Sequence, residues 1–205
     1  MRTLTLTAAA VAAIALGGCV SLFPKSEPSQ LYRFGASPPG EPAGPGANAA
    51  PIGLVPLEFV EAAGSDRILT VTGNEVAYVA GARWATPAKI MFGEAMTRAF
   101  ERSARNVSLV GRRELRSTSV LLDVDVNSFE ARYENGREAA PTVVVSLDAR
   151  LVRFPERTVL DHKVIEVRRP AGENRMSAIV AAIDAATNDA LGQLVAWTDA
   201  TAPRT

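Results

Sequence analysis

Cysteine and histidine are each present once in 205 residues, and that scarcity removes several chemistries at the outset. One cysteine forms no internal disulfide and, beside one histidine, no Cys/His metal cluster. His162 has no assigned serine or cysteine nucleophile, so a hydrolytic triad is hard to assemble. Charge of one sign is not in excess either: 22 Lys and Arg face 22 Asp and Glu, which excludes the basic stripe a nucleic acid needs. Glycine-rich phosphate loops are absent, because the one glycine-dense stretch is punctuated by proline and precedes no helix. The chain is therefore not expected to bind ATP. No run is long enough to span a bilayer: the apolar stretch Leu4–Leu16 falls well short of ~20 residues.

That stretch has a different meaning. Arg2, the apolar run and the small pair Gly17-Gly18 are laid out as a secretory signal. Leu16-Gly17-Gly18-Cys19 resembles a lipobox, in which cleavage frees a cysteine that carries diacylglycerol as a thioether. Cys19 is thus the expected lipidation site, holding diacylglycerol and an N-acyl chain such as palmitate; no other cofactor and no metal is expected. Two or more acyl chains anchor a protein stably where one is marginal. Val20 and Ser21 follow, with no aspartate beside the cysteine, which points to the periplasmic face of the outer membrane, with retention at the inner membrane as the alternative.

The expected organisation is a signal over 1–18, a tether over 19–30 broken by Pro24 and Pro28, and one domain over 31–205 with a Pro/Gly-rich loop at 35–51. Leu31–Phe34 reads as a brief strand, and Ile52–Val60 as a longer one whose Pro56 argues for an edge or a bulge. Arg67–Leu69 and Val76–Val79 are short extended pieces around the Gly73-Asn74 turn. Thr86-Pro87 suits a helix start, with Thr86 as N-cap, and the helix to about Arg102 should bury Ala88, Met91, Phe92, Ala95, Ala99 and Phe100. Val107–Val110 is a short strand. Val120, Leu122, Val124 and Val126 alternate with polar residues, but Phe129, Ala131 and Tyr133 fall on the opposite parity, so a β-bulge is expected near Asn127-Ser128. Asn135-Gly136 signals a hairpin into Val143–Leu151, and Thr158–Val167 completes a meander. A long helix from about Arg175 to Asp199, capped by Asn174 or Ser177, closes the chain, with Met176, Ile179, Val180, Ile183, Ala190, Leu191, Leu194 and Trp197 as its apolar stripe. The fold class is α/β in the α+β sense: a mixed, largely antiparallel sheet with a β-meander, covered by two amphipathic helices. There is no internal repeat.

Candidate chemistry is sparse. Asp123 and Asp125 form a D-x-D pair, but on one face of an alternating strand they read as a solvated face rather than a metal site. The sequon Asn106-Val107-Ser108 is discounted. Arg83-Trp84-Ala85-Thr86-Pro87 carries two readings: Trp84 staples the start of the helix onto the core, or Tyr78, Arg83 and Trp84 form a partner interface, since these residue types dominate binding hot spots.

The order of elements resembles the ABC-type transport auxiliary lipoprotein family, which includes the paraquat-inducible intermembrane-transport lipoproteins. The matching features are Cys19 in its lipobox, the Leu31-Tyr32-Arg33-Phe34 strand, the strand around Leu54 to Val60, Arg67-Ile68, and the stretch Tyr78 to Trp84 leading to Pro87 and its helix, followed by the strand-hairpin-strand and C-terminal helix. The proline-rich stretch at 35–51 looks longer than the family needs. The resemblance implies a non-enzymatic, membrane-anchored component of a transport system for lipids or other hydrophobic substrates. Its partners would be an MCE-domain substrate-binding protein and, indirectly, an ABC permease and ATPase; whether the protein is a monomer or a homo-oligomer stays open. Two other readings stand beside it, a lipid-binding carrier and an envelope assembly lipoprotein resembling the amino-terminal domain of TolB.

Overall fold

The protein, seen as a computed structural model, is described over residues 29–35, 44–111, 114 and 118–203. The expected signal, Cys19, nearly all of the tether and the middle of the 35–51 loop lie outside these residues.

The meander is present. β7 (Val120–Arg132), β8 (Thr142–Arg153) and β9 (Thr158–Pro170) pair antiparallel along almost their whole lengths. The register shifts between Val126 and Ser128, where the polar–apolar parity reverses, and the shift returns Phe129 and Ala131 to the buried face. A second irregularity, between Leu151 and Val152, gave no comparable sign in the sequence. Asn135-Gly136 does not make a two-residue hairpin. The strands end at Arg132 and resume at Thr142, because the loop docks elsewhere: Tyr133 donates its hydroxyl to Asn174, and Asn174 donates its side-chain amide to the Arg137 carbonyl.

The other edge of β7 is divided among three short parallel strands. β2 (Ala50–Leu54) meets Leu121 and Leu122, β3 (Glu58–Phe59) meets Asp125 and Val126, and β4 (Arg67–Thr72) meets Ala131 and Arg132. The strand expected over 52–60 is thus two strands, broken at Val55-Pro56-Leu57. Pro56 supplies no amide hydrogen to a ladder, while Val55 and Val60 still donate to the Leu122 and Val126 carbonyls at 2.9 and 2.8 Å. Pro56 therefore marks a break inside the sheet, not an edge strand, since β6 (Val107–Val110) continues the sheet beyond β2. On the other branch β5 (Glu75–Trp84) pairs antiparallel with β4, and β1 (Gln30–Tyr32) lies parallel to β5. β5 runs on past the expected end at Val79, kinking where Gly81 takes a positive φ of 66°.

Two helices cover one face, α1 (Ala88–Ser103) and α2 (Met176–Thr201). The expected apolar positions of α1 are buried, together with Met96. Its capping differs from expectation. Pro87 is the N-cap, no side chain caps the helix, and the amides of Ala88 and Lys89 donate instead to the Ser65 and Gly64 carbonyls. α2 likewise starts without a side-chain cap, since Asn174 is engaged with the β7–β8 loop. Ile179, Ile183, Ala190, Leu191 and Leu194 are buried; Met176, Val180 and Trp197 pack half-buried at the margin.

Near its end, α2 is fastened to the α1–β6 loop. The Asp199 carboxylate accepts from the backbone amides of Arg105, Asn106 and Val107 at 2.8, 2.7 and 3.2 Å. Bonds to a charged acceptor contribute more than neutral ones, and their loss strands amides in a loop that cannot re-pair them. Asp199→Ala is expected to lower unfolding stability by about 2 kcal/mol, read from the midpoint of urea denaturation at unchanged slope.

Candidate docking surfaces

The core gathers on Phe129, delivered inward by the bulge in β7. Phe34, Phe59 and Phe92 approach its ring at centroid distances of 4.9, 5.5 and 6.0 Å, and Trp84 at 6.3 Å. Trp84 also meets Phe34 edge-on at 5.0 Å and is only 3% exposed. Trp84 is therefore buried in the core against Phe34 and Phe129 and is not displayed at the surface. Tyr78 is half-buried and donates its hydroxyl to the Ala62 carbonyl. Arg83 is exposed and pairs with Asp66 at 2.9 Å. Of the three residues singled out, Tyr78 and Arg83 share a surface while Trp84 faces away from it. Arg67 joins that surface, its guanidinium lying 3.7 Å from the Tyr78 ring centroid in a cation–π contact. This partner was missed because the β5 kink, which sets the pairing, left no pattern in the sequence.

The segment leading into this surface is held firmly. Phe34 is buried, the Gly35 amide donates to Asp184 at 2.6 Å and its carbonyl accepts from Arg98 at 3.1 Å. A Cβ at Gly35, where φ is 69°, would stand 2.6 Å from the Ala95 Cβ, so only glycine fits.

The D-x-D pair lies on the sheet face away from the helices, where the register sets Asp123 beside Arg150 and Asp125 beside Asp148. Arg150 bridges both carboxylates of the pair, at 3.1 Å from Asp123 and 2.6 Å from Asp125. Partial burial works against the Arg150 charge, but Asp123, Asp125 and Asp148 outweigh it and raise its pKa above the ordinary value. His162, on the next strand, meets Asp148 at 3.0 Å. Asp161 instead accepts from the Trp197 indole, fixing the end of α2. The acidic pair is thus satisfied by a cross-strand arginine, and among the described residues no group of three or more His, Cys, Asp or Glu could hold a metal ion.

Two apolar grooves flank the Val55-Pro56 break. One, of about 580 Å³, runs between α1 and the β2–β6 side and includes Leu57, Ile90, Met96 and Leu109. The other, of about 530 Å³, lies at the far end of the meander, walled by Leu121, Val152, Phe154 and Val159 with Arg150 and Arg157 at its margin. Phe154 and Val159 are 39% and 53% exposed. Sequence reading overlooked this groove, although Val159 on the outward face was its signal.

The family model for the ABC-type transport auxiliary lipoprotein component matches residues 32–195. The chain belongs to this family. Among solved structures this auxiliary lipoprotein is similar to XCC0632, a DUF330 protein of Xanthomonas campestris, at 25% identity and a TM-score of 0.72, over 84% of this chain and 96% of that one. An uncharacterized protein shares the fold at 11% identity and a TM-score of 0.64, over 83% and 99% of the two chains. No curated protein matches the chain. The auxiliary lipoprotein is therefore associated with ABC-type transport and with the envelope membrane that a lipoprotein occupies. Among the described residues no helix is long and apolar enough to cross a membrane.

Trp84→Ala is expected to lower stability by about 3 kcal/mol, whereas Arg83→Ala, which breaks an exposed pair, should change it by less than about 1 kcal/mol. Urea denaturation of both variants checks the contrast. Millimolar Ca²⁺ or Mg²⁺ is expected to leave Tm unchanged, since Arg150 already occupies the carboxylates; a rise in Tm would show a cation site at Asp123 and Asp125.

Proposed function

We propose that this auxiliary lipoprotein is held by acyl chains on Cys19 at the periplasmic face of the outer membrane. There it docks an MCE-domain substrate-binding protein of an ABC system that moves lipids or other hydrophobic substrates, without itself catalysing a reaction. The observation that carries the reading is the coincidence of one cysteine, at the lipobox position, with a family match that spans nearly all of the folded chain. A permease and ATPase would be reached indirectly, through the docked protein.

The groove at Phe154 supports the docking role. Exposed aromatic and aliphatic groups, with Arg157 and the Arg150–Asp123 pair at their margin, make the kind of patch where binding energy concentrates. It also stands apart from the point where the tether joins the body: the run of β7 from Leu121 to Phe129 is about 25 Å of extended strand. A partner at the groove would meet no obstruction from the tether. A second reading, a lipid carrier, is favoured by the apolar lining of the groove beside α1 and would be recognised by lipid bound in native mass spectrometry.

Labelled palmitate is expected to enter the wild-type protein and not Cys19→Ser; label in neither would remove the anchor. Phe154→Asp is expected to reduce capture of the proposed MCE-domain partner at least about tenfold, with unchanged Tm, because a charge at the centre of an apolar contact is left unpaired. Undiminished capture would remove the groove from the docking role.

A further inference from the structure

The chain joins its body at β1, on the outermost strand of one branch of the sheet. Ten residues lie between Cys19 and Gln30. Treated as a flexible chain, such a link spans roughly 20 Å on average, and fully extended no more than about 40 Å. With Cys19 at a bilayer, β1 stays close to the headgroups, so a surface beside β1 meets them at high effective concentration even if its intrinsic affinity is low.

That surface has the composition such a setting demands. Leu31 is 62% exposed, although the neighbouring Tyr32 is half-buried. The register pairs Leu31 with Arg83 and Arg83 with Arg67, so the three side chains form one outward row across β1, β5 and β4. Arg33 is exposed two residues further along, and Tyr78 lies beneath the Arg67 guanidinium. Three arginines stand here against Asp66, which pairs with Arg83, in a chain whose formal charge is zero. Arginine forks bind phosphate oxygens, an apolar leucine enters the acyl boundary, and tyrosine prefers the headgroup level between them.

We propose that the face formed by Leu31, Arg33, Arg67, Tyr78 and Arg83 seats the domain on the phospholipid headgroups of the membrane that holds its lipid anchor. The inference rests on the reading of Cys19 as the lipidated residue. It fixes an orientation: the branch made of β1, β5 and β4 lies on the bilayer, and the Phe154 groove stands at the other end of β7. The domain stands on its surface instead of swinging freely at the end of its tether.

Lipidation consumes the sole cysteine, so Ala85→Cys, at an exposed site beside the row, or Ala200→Cys, near the end of α2, introduces one free thiol for a fluorophore. The mature lipidated protein is placed in vesicles of phosphatidylethanolamine and phosphatidylglycerol containing a headgroup spin label, and quenching is measured after flotation. Quenching at position 85 is expected to exceed that at position 200 at least about threefold. Half-molar salt, phosphatidylcholine vesicles, or the pair Arg33→Ser and Arg67→Ser should each reduce the difference by half or more. The salt and lipid arms need no altered patch, so they stand even if the double variant folds poorly. Equal quenching at the two positions in protein that floats with the vesicles overturns the seating alone. Shielding of position 85 that arises only when the MCE protein is added also overturns it and assigns the face to that partner. Protein that fails to float overturns the anchor reading, and the seating with it.

Discussion

A β-strand has two edges whose amides and carbonyls must all be paired, and β7 meets this demand in two unlike ways. One edge is filled by a single partner, β8, through a continuous antiparallel ladder. The other is filled in succession by β2, β3 and β4, each contributing a short parallel contact. From this asymmetry the rest of the architecture follows. The meander side is paired along almost its whole length, whereas the divided side forks, sending β2 and β6 one way and β4, β5 and β1 the other. Surfaces with different uses can sit on the two branches because a single strand holds both in register.

The bulge near Ser128 is where strand geometry becomes core packing. One extra residue reverses the parity of the side chains, so that Phe129 turns inward, where aromatic rings from β3, the chain after β1, the end of β5 and α1 converge on it. Without that slip the ring would point to the outer face and Phe34 would lose its principal contact. The attachment of the amino-terminal segment to the body thus depends on an irregularity in a strand remote from it in sequence.

Periodicity made the meander, the bulge and both helices legible, since alternation and the 3.6-residue repeat are written directly in residue order. What stayed hidden was set by register between distant segments. Asp123 and Asp125 stood out, but Arg150, which bridges them, is identified only once β7 and β8 are aligned. Thr86 and Asn174 looked like helix caps because local propensity favours them, yet carbonyls from the β3–β4 loop receive the first amides of α1 and Asn174 is engaged by the β7–β8 loop. Trp84 shows the limit most clearly: the same residue could be displayed or buried, and only the position of Phe34 and Phe129 decides.

The way Phe34 and Gly35 are lodged has a mechanical consequence. If Cys19 carries the proposed anchor, tension on it that reaches Gln30 along the axis of β1 loads the ladder with β5 in shear, so that the bonds resist together instead of peeling one by one. Behind that short ladder, Phe34 acts as a stopper wedged between the Trp84 and Phe129 rings, and Gly35, threaded against Ala95 and gripped by Asp184 and Arg98, has no room to slide. The membrane would pull on the centre of the domain, not on a frayed end.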